Sequence, residues 1–216
     1  MAGCILRRTH RIESIRLMAI IRDVEPVYAA PIAETLLSEG ITGIEVSLSD
    51  PEKGFGCIEQ IQKKYSPGGI CLGAGTVTKK EEVDRLAAMK IPFFLTPGYD
   101  DDLVAYGLSK GMEVLPGVLT PGDVQKALNR GVRRLKLFPA DAFGMSYIKS
   151  LKGPFPQAEF VAVGGVNETN VSQFLKAGFV GAAAGSNLVP RGAADGDLEL
   201  IRQKARLYVQ AMKREV

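Results

Sequence analysis

A lysine lies within the apolar stretch Arg133–Ala140, which reads RRLKLFPA. The pattern predicts a short strand that ends at Pro139, with Leu135 and Leu137 on one face and Lys136 on the other. Burial of an ammonium group is costly and lowers its pKa. The resulting neutral amine can attack carbonyl carbon and form a Schiff base. The alternative is a lysine at a strand end whose stem packs while its head group reaches water.

A glutamate is the second candidate for chemistry. Glu45 alternates with Ile44 and Val46 in the stretch GIEVSL, so it faces inward if these two face the covering helices. An inward carboxylate is costly unless it is paired or used. Either Glu45 forms an ion pair with an interior lysine, for which Lys136 is the candidate, or it acts as a general acid–base beside the amine. In a Schiff-base enzyme both can hold.

Two glycine-containing loops predict an anion site. Gly164 and Gly165 follow one apolar run, and Gly185 and Ser186 follow the next. Glycine lets backbone N–H groups approach an anion, and a helix start adds a favourable dipole. Many barrel enzymes bind phosphate with their last two loops and a short helix N-terminus. A serine at a helix start is also an ordinary N-cap, so both interpretations of Ser186 are open.

These residues belong to apolar runs that recur along the chain, each followed by a helical segment. The runs begin near Met18, Gly43, Ile70, Phe93, Glu113, Arg134, Glu159 and Val180. Apolar runs of this kind indicate a parallel sheet covered by helices, and a spacing of about 23 residues suits one strand and one helix. Eight such units predict an α/β fold, a (β/α)8 TIM barrel, with a doubly wound open sheet as the alternative.

In such a barrel the active site lies at the carboxyl ends of the strands. Arg22 ends the first run, Thr76 follows the third, and Pro97 follows the fourth. We expect residues 1–216 to form one domain, because 216 residues with 46% hydrophobic content can bury one core. Residues 1–16 should add a short N-terminal helix packed on the barrel, with Ile5, Ile12 and Ile15 on one side.

Composition excludes several classes of function. A net charge of +3, from 27 basic and 24 acidic residues, is too balanced for a nucleic-acid binder. The three cysteines (Cys4, Cys57 and Cys71) are scattered and His10 is the one histidine. These numbers argue against a disulfide framework, a zinc site and a histidine-based triad. GAGT lacks the third glycine of a dinucleotide fingerprint, and there is no P-loop motif. No apolar run reaches the ~18 residues that span a membrane, and no signal peptide is recognisable, so we expect a cytoplasmic protein.

Taken together, the motifs resemble those of the 2-keto-3-deoxy-6-phosphogluconate (KDPG) / 4-hydroxy-2-oxoglutarate (KHG) aldolase family of class I pyruvate aldolases. The resemblance covers nearly all of residues 15–190 and rests on GIEVSLS, GAGTVT, FFLTPG, LPGVLTP, LKLFPA, KGPFP, VGGV and GSNLVP. It implies Lys136 as the Schiff-base residue and Glu45 as the proton shuttle. The implied substrate-binding residues are Arg22, Thr76, Pro97, Phe138 and Val163, and the implied phosphate-binding residues are Gly164, Gly165, Gly185 and Ser186.

The sequence departs from many family members at two points. Ser49 stands where an arginine often holds the substrate carboxylate; the resemblance implies that Arg22 takes this role, as in other members. Val163 stands where many members have threonine before the paired glycines. Val-Gly-Gly is similar to the branch that acts on the galactonate-derived isomer, as is the segment Ala142–Gly144.

The resemblance implies retro-aldol cleavage of KDPG to pyruvate and glyceraldehyde 3-phosphate, with cleavage of KHG to pyruvate and glyoxylate as a second activity. The galactonate-derived phospho-keto acid is an alternative substrate. The resemblance also implies a homotrimer without cofactor or catalytic metal. Two other classes of function are alternatives: a phosphate-binding barrel isomerase or phosphotransfer-type enzyme, which does not need Lys136 inside the barrel, and a non-catalytic barrel that binds sugar phosphates. Intact Lys136 and Glu45 argue against the last.

Overall fold

The computed structural model describes residues 12–65 and 70–213. Within these ranges, nine parallel strands form one sheet. The strands are β1 Leu17–Ile21, β2 Gly43–Ser47, β3 Cys71–Gly75, β4 Phe93–Leu95, β5 Glu113–Leu115, β6 Gly117–Val118, β7 Arg134–Leu137, β8 Glu159–Val163 and β9 Gly181–Ala184. They pair in the order β5-β4-β3-β2-β1-β9-β8-β7-β6.

The fifth barrel strand is divided into two short pieces. Pro116 lies between β5 and β6, and proline cannot donate a hydrogen bond to a sheet. β5 pairs with β4 and β6 pairs with β7, while the Lys136 N–H donates to the Pro116 oxygen at 2.9 Å. Because β5 and β6 are consecutive in the chain, the strand order closes on itself into a barrel.

Helices alternate with the strands around the barrel. They are α1 Pro26–Ser38, α2 Pro51–Lys64, α3 Lys80–Ala88, α4 Asp101–Ser109, α5 Pro121–Asn129, α6 Tyr147–Lys152, α7 Val171–Ala177 and α8 Leu198–Lys213. Several begin at side chains that cap free N–H groups: Asp50, Asp100 and Thr120 each accept a hydrogen bond from the residue three positions later. The predicted (β/α)8 barrel is confirmed, and the open doubly wound sheet is not the observed fold.

The sheet separates two hydrophobic clusters. The outer cluster, between strands and helices, includes Ile44, Val46, Leu135 and Leu137. The inner cluster fills the barrel and consists of Ile12, Ile15, Met18, Ile20, Cys71, Phe93, Leu95, Leu115, Val161, Val163 and Ala183. Alternation of side chains along each strand produces this division, and it places every second residue inside the barrel.

The predicted N-terminal helix falls largely on residues 1–11, which lie outside the described residues, as do Ile5, Cys4 and His10. The described part of this segment contains one short 3-10 turn, Ile12–Ser14. Ile12 and Ile15 are buried and belong to the inner cluster. In the part of the chain that the structure describes, no helix is both long and apolar enough to cross a membrane.

Candidate active site

Lys136 projects into the barrel from β7. Its register partners are Gly117 on β6 and Val161 on β8, and only 4% of its surface is exposed. The Nζ atom lies 4.9 Å from the centre of the Phe138 ring. Burial lowers the pKa of the ammonium group, the Glu45 carboxylate opposes the shift, and the charge of Arg22 adds to it. The alternative of a head group in water does not describe this lysine.

Glu45 projects into the barrel from β2 and is fully buried. Its register partners are Ile20 on β1 and Gly73 on β3. The carboxylate occupies the space that a side chain at Gly75 would need, since a Cβ built there would lie 1.6 Å from Glu45 Oε1. Burial raises the pKa of the Glu45 carboxyl, and the charges of Lys136 and Arg22 oppose the rise.

Burial therefore favours the uncharged forms of both residues, a free amine on Lys136 and a protonated carboxyl on Glu45. Neither oxygen of Glu45 has a hydrogen-bond partner among the described residues. A directly hydrogen-bonded Lys136–Glu45 ion pair is thus not formed, although each group shifts the pKa of the other. A neutral amine suits nucleophilic attack on a carbonyl group, and a carboxyl group close enough to affect its pKa can supply the proton that the reaction needs.

Arg22 follows β1 and is held by a buried hydroxyl. Its Nε donates to the Oγ of Ser47 at 3.3 Å, and the Ser47 and Thr76 hydroxyls are 3.1 Å apart. The sequence suggests no role for Ser47, yet this side chain joins Arg22 to Thr76. Its signal is a hydroxyl at the inward position two residues after Glu45.

A cavity of about 150 Å³ opens at the carboxyl ends of β1, β7, β8 and β9. Seven of the predicted site residues line it: Arg22, Phe138, Val163, Gly164, Gly165, Gly185 and Ser186. Asn187 and Arg191 also line it, and neither is among the residues predicted from the sequence. Lys136, Glu45, Thr76 and Pro97 are not part of this lining. Thr76 is connected to it through Ser47, and the exposed Pro97 contacts β6, where its carbonyl oxygen would lie 2.5 Å from a Cβ at Gly117.

The loop after β8 requires its two glycines. Gly164 and Gly165 have φ angles of +98° and +70°, in the left-handed region that favours glycine. Asn170 Nδ2 donates to the Gly165 oxygen at 2.8 Å. The Val166 oxygen accepts from the Tyr208 hydroxyl and from Asn187 Nδ2, each at 3.2 Å. Side chains from three separate segments thus fix the loop that borders the cavity.

The helix start predicted at Ser186 is wrong. After β9 the chain forms one turn, in which the Val189 N–H donates to the Gly185 oxygen at 3.0 Å, and the next α-helix, α8, begins at Leu198. Pro190 explains the early end, because proline disfavours helical geometry in the residue before it. Ser186 is exposed at the cavity and is not the N-cap of a helix. Glycine and N–H groups remain for an anion, without the dipole of a full helix.

The family model for KDPG and KHG aldolases matches residues 9–204. The chain belongs to this family. It is accordingly an aldehyde-lyase whose reaction is a retro-aldol cleavage. Within the described residues, no group of three or more histidine, cysteine, aspartate or glutamate side chains is placed to hold a metal ion.

Individual relatives cover almost the whole chain. The 2-dehydro-3-deoxy-6-phosphogalactonate aldolase of Escherichia coli is 35% identical over 93% of this chain and 96% of its own length. The 2-dehydro-3-deoxy-phosphogluconate aldolase of Pseudoalteromonas atlantica is 33% identical over 88% of this chain and 87% of its own length. A solved structure of KDPG aldolase from Legionella pneumophila, with pyruvate captured as a covalent carbinolamine intermediate, has a TM-score of 0.79 and 25% identity, covering 93% and 96% of the two chains.

Proposed function

We propose that this aldolase works through a Schiff base on Lys136, with Glu45 moving the protons. One observation carries the proposal. Lys136 is buried inside the barrel, burial lowers its pKa, and it interacts electrostatically with the buried carboxyl of Glu45. The carbinolamine captured in the Legionella pneumophila relative gives this chemistry a precedent within the family.

The reaction begins with attack of the neutral Lys136 amine on C2 of a 2-keto acid, which gives a carbinolamine. The protonated carboxyl of Glu45 supplies the proton with which the C2 hydroxyl leaves as water, and an iminium forms. The Glu45 carboxylate then takes the C4 hydroxyl proton, through a water molecule, as the C3–C4 bond breaks and its electron pair moves to the iminium. Glu45 returns the proton to C3 of the enamine, and hydrolysis releases pyruvate and the free amine.

Arg22 binds the carboxylate of the keto acid. Three features support this assignment: the side chain lines the cavity, Ser47 fixes its Nε, and its charge acts on both Lys136 and Glu45. A guanidinium beside the imine fixes the C1 end of the substrate with geometry that matches a carboxylate. Thr76, Pro97, Phe138 and Val163 border the carbon chain.

The far end of the substrate is a phosphate held by Gly164, Gly165, Gly185 and Ser186. The backbone at these positions lines the cavity, and its N–H groups are candidates to bind an anion, which supports a phosphate site there. The substrate is therefore KDPG, cleaved to pyruvate and glyceraldehyde 3-phosphate, or its galactonate-derived isomer, since relatives are named for each acid. Cleavage of KHG to pyruvate and glyoxylate is a slower second activity, because KHG lacks the phosphate.

Borohydride trapping tests the proposal. Reduction in the presence of pyruvate should attach one pyruvyl group to Lys136, located by peptide mass spectrometry. Lys136→Met should abolish both the adduct and pyruvate release from KDPG, while Lys149→Met, at an exposed lysine on α6, should leave both unchanged. An adduct on another lysine, or turnover in Lys136→Met, would refute the assignment.

The same assay separates the aldolase from the alternative functions. A non-catalytic sugar-phosphate-binding barrel and a barrel isomerase both give neither the adduct nor pyruvate, whereas the Schiff-base aldolase gives both. We further propose one domain over residues 1–216, a homotrimer, a cytoplasmic location and no cofactor. Sedimentation velocity tests the homotrimer, and activity after exhaustive chelation tests whether a metal is needed.

A further inference from the structure

Two arginines, Arg22 and Arg191, are the charged residues among those that line the described cavity. The substrate proposed above carries an anion at each end, and this inference rests on that proposal. Its phosphate holds roughly −1.5 to −2 charges at neutral pH, as phosphate monoesters do. Each arginine therefore has an anionic group available to it.

Arg22 lies at the end of the cavity nearest to the residues proposed to carry out the reaction. Its Nε is bonded to Ser47, and its charge is felt by both Lys136 and Glu45. Arg191 is not among the charges that shift the pKa of either residue. It follows the turn that starts at Gly185, so it lies on the side of the cavity where the phosphate-binding backbone is found.

Asp23 orients Arg191. Arg191 Nη1 donates to Asp23 Oδ2 at 3.2 Å, and Asp23 Oδ1 accepts from the Ser49 hydroxyl at 3.2 Å. The side chains of Arg191 and Asp23 are 62% and 38% exposed, and ion pairs this exposed contribute little to stability. A guanidinium has five N–H donors, so one bond to Asp23 fixes its direction and leaves donors for a ligand.

The loop that contains Gly164 and Gly165 lies beside a carboxylate, which has the same sign of charge as a phosphate. Asp141 borders it closely enough that a Cβ at Gly165 would lie 2.4 Å from Asp141 Oδ2. A carboxylate next to Gly165 disfavours a phosphate on the same loop, and a cation that follows the neighbouring Gly185 turn offsets this repulsion. We infer that Arg191, oriented by its hydrogen bond to Asp23, binds the substrate phosphate. Arg191 thereby determines specificity, because it favours phosphorylated keto acids over unphosphorylated ones.

Steady-state kinetics on Arg191→Gln test this inference. KM for KDPG and for its galactonate-derived isomer should rise by about 10- to 100-fold, as expected for the loss of a charge-assisted hydrogen bond. KM for KHG and the rate of pyruvate methyl-proton exchange should change by less than about threefold, since neither ligand reaches the phosphate end. Inorganic phosphate should inhibit KDPG cleavage more weakly in the variant. Arg191→Lys should restore part of the KM, and Asp23→Asn should raise it less than Arg191→Gln does.

Arg206→Gln is the matched control, because Arg206 is an exposed arginine on α8 that also pairs with a carboxylate, that of Glu39. It should leave every constant unchanged. An unchanged KM for phosphorylated acids in Arg191→Gln, or equal losses on phosphorylated and unphosphorylated acids, overturns the role of Arg191 while the Lys136 adduct still stands. A wild-type enzyme that does not distinguish the two kinds of acid overturns the phosphate site and this inference together.

Discussion

Gly75→Ala should separate the position of the Glu45 carboxylate from its chemistry. A Cβ at position 75 would lie 1.6 Å from Glu45 Oε1, 2.3 Å from Cδ and 2.8 Å from Cγ. Ordinary contact begins at 3.4 Å, so the nearest carboxylate oxygen must move by about 1.8 Å, the difference between the two distances. Glu45 keeps its carboxyl group in this variant and loses only its place.

The expected loss follows from that displacement. A shift of about 1 Å in a reacting group costs on the order of 10²-fold, so kcat for retro-aldol cleavage should fall by about 10² or more. Overpacking should also lower the free energy of unfolding by roughly 1–3 kcal/mol. The borohydride adduct on Lys136 should still form. Gly196→Ala is the control, because a Cβ at Gly196 has no atom within 4 Å.

A double-mutant cycle completes the experiment. Glu45→Gln should lower kcat by about 10² through the loss of proton transfer. If Gly75→Ala acts through Glu45, the double variant should be no slower than the slower single variant, since residues that act as one unit are not additive. A normal kcat in Gly75→Ala, or losses that multiply to about 10⁴ in the double variant, would refute the reasoning.

Three further predictions concern the other groups of the site. Lys136→Met should raise the midpoint of thermal unfolding at pH 7 because it removes a buried amine whose pKa lies below its usual 10.5; the gain should shrink as pH rises toward 10.5, where the unfolded chain also loses its proton. Arg22→Ala should raise KM for every 2-keto acid, pyruvate included, by about 10- to 100-fold, with Arg22→Lys only partly restorative; equal constants would leave the carboxylate to another residue. Ser186→Asp should slow cleavage of KDPG by at least about tenfold relative to pyruvate exchange, because it places a like charge beside the phosphate; parallel losses in the two assays would argue against the phosphate loop.

The inward positions of Lys136 and Glu45 could be predicted from the sequence, because a strand offers only two faces. Apolar neighbours such as Ile44 and Val46 identify the face that meets the helices, and the structure places them there. The proximity of Lys136 to Glu45 does not follow from such local alternation, because the two residues are 91 positions apart (136 − 45) and on different strands.

The phosphate side shows where local pattern is insufficient. Gly185 and Ser186 look like a helix start, but Pro190 ends the segment after one turn. Arg191 and Asp23 are separated by 168 positions, so their contact depends on the first and last strands lying side by side. The pairing of β1 with β9 brings them together, and a barrel prediction contains that adjacency without indicating which side chains use it.

Glycines inside the barrel decide where the reactive groups have room. The space beside Gly73 is filled by the Phe93 ring, which would lie 2.1 Å from a Cβ there, and the space at Gly75 is filled by Glu45. Gly117, the register partner of Lys136, has the same relation to the backbone of Pro97. At Gly73 and Gly75 a bulky side chain on the neighbouring strand thus packs over a glycine of β3. Ile12 and Ile15 belong to the same inner cluster as Phe93, so the barrel interior that surrounds Glu45 and Lys136 is apolar, which is what shifts the pKa of each toward its uncharged form.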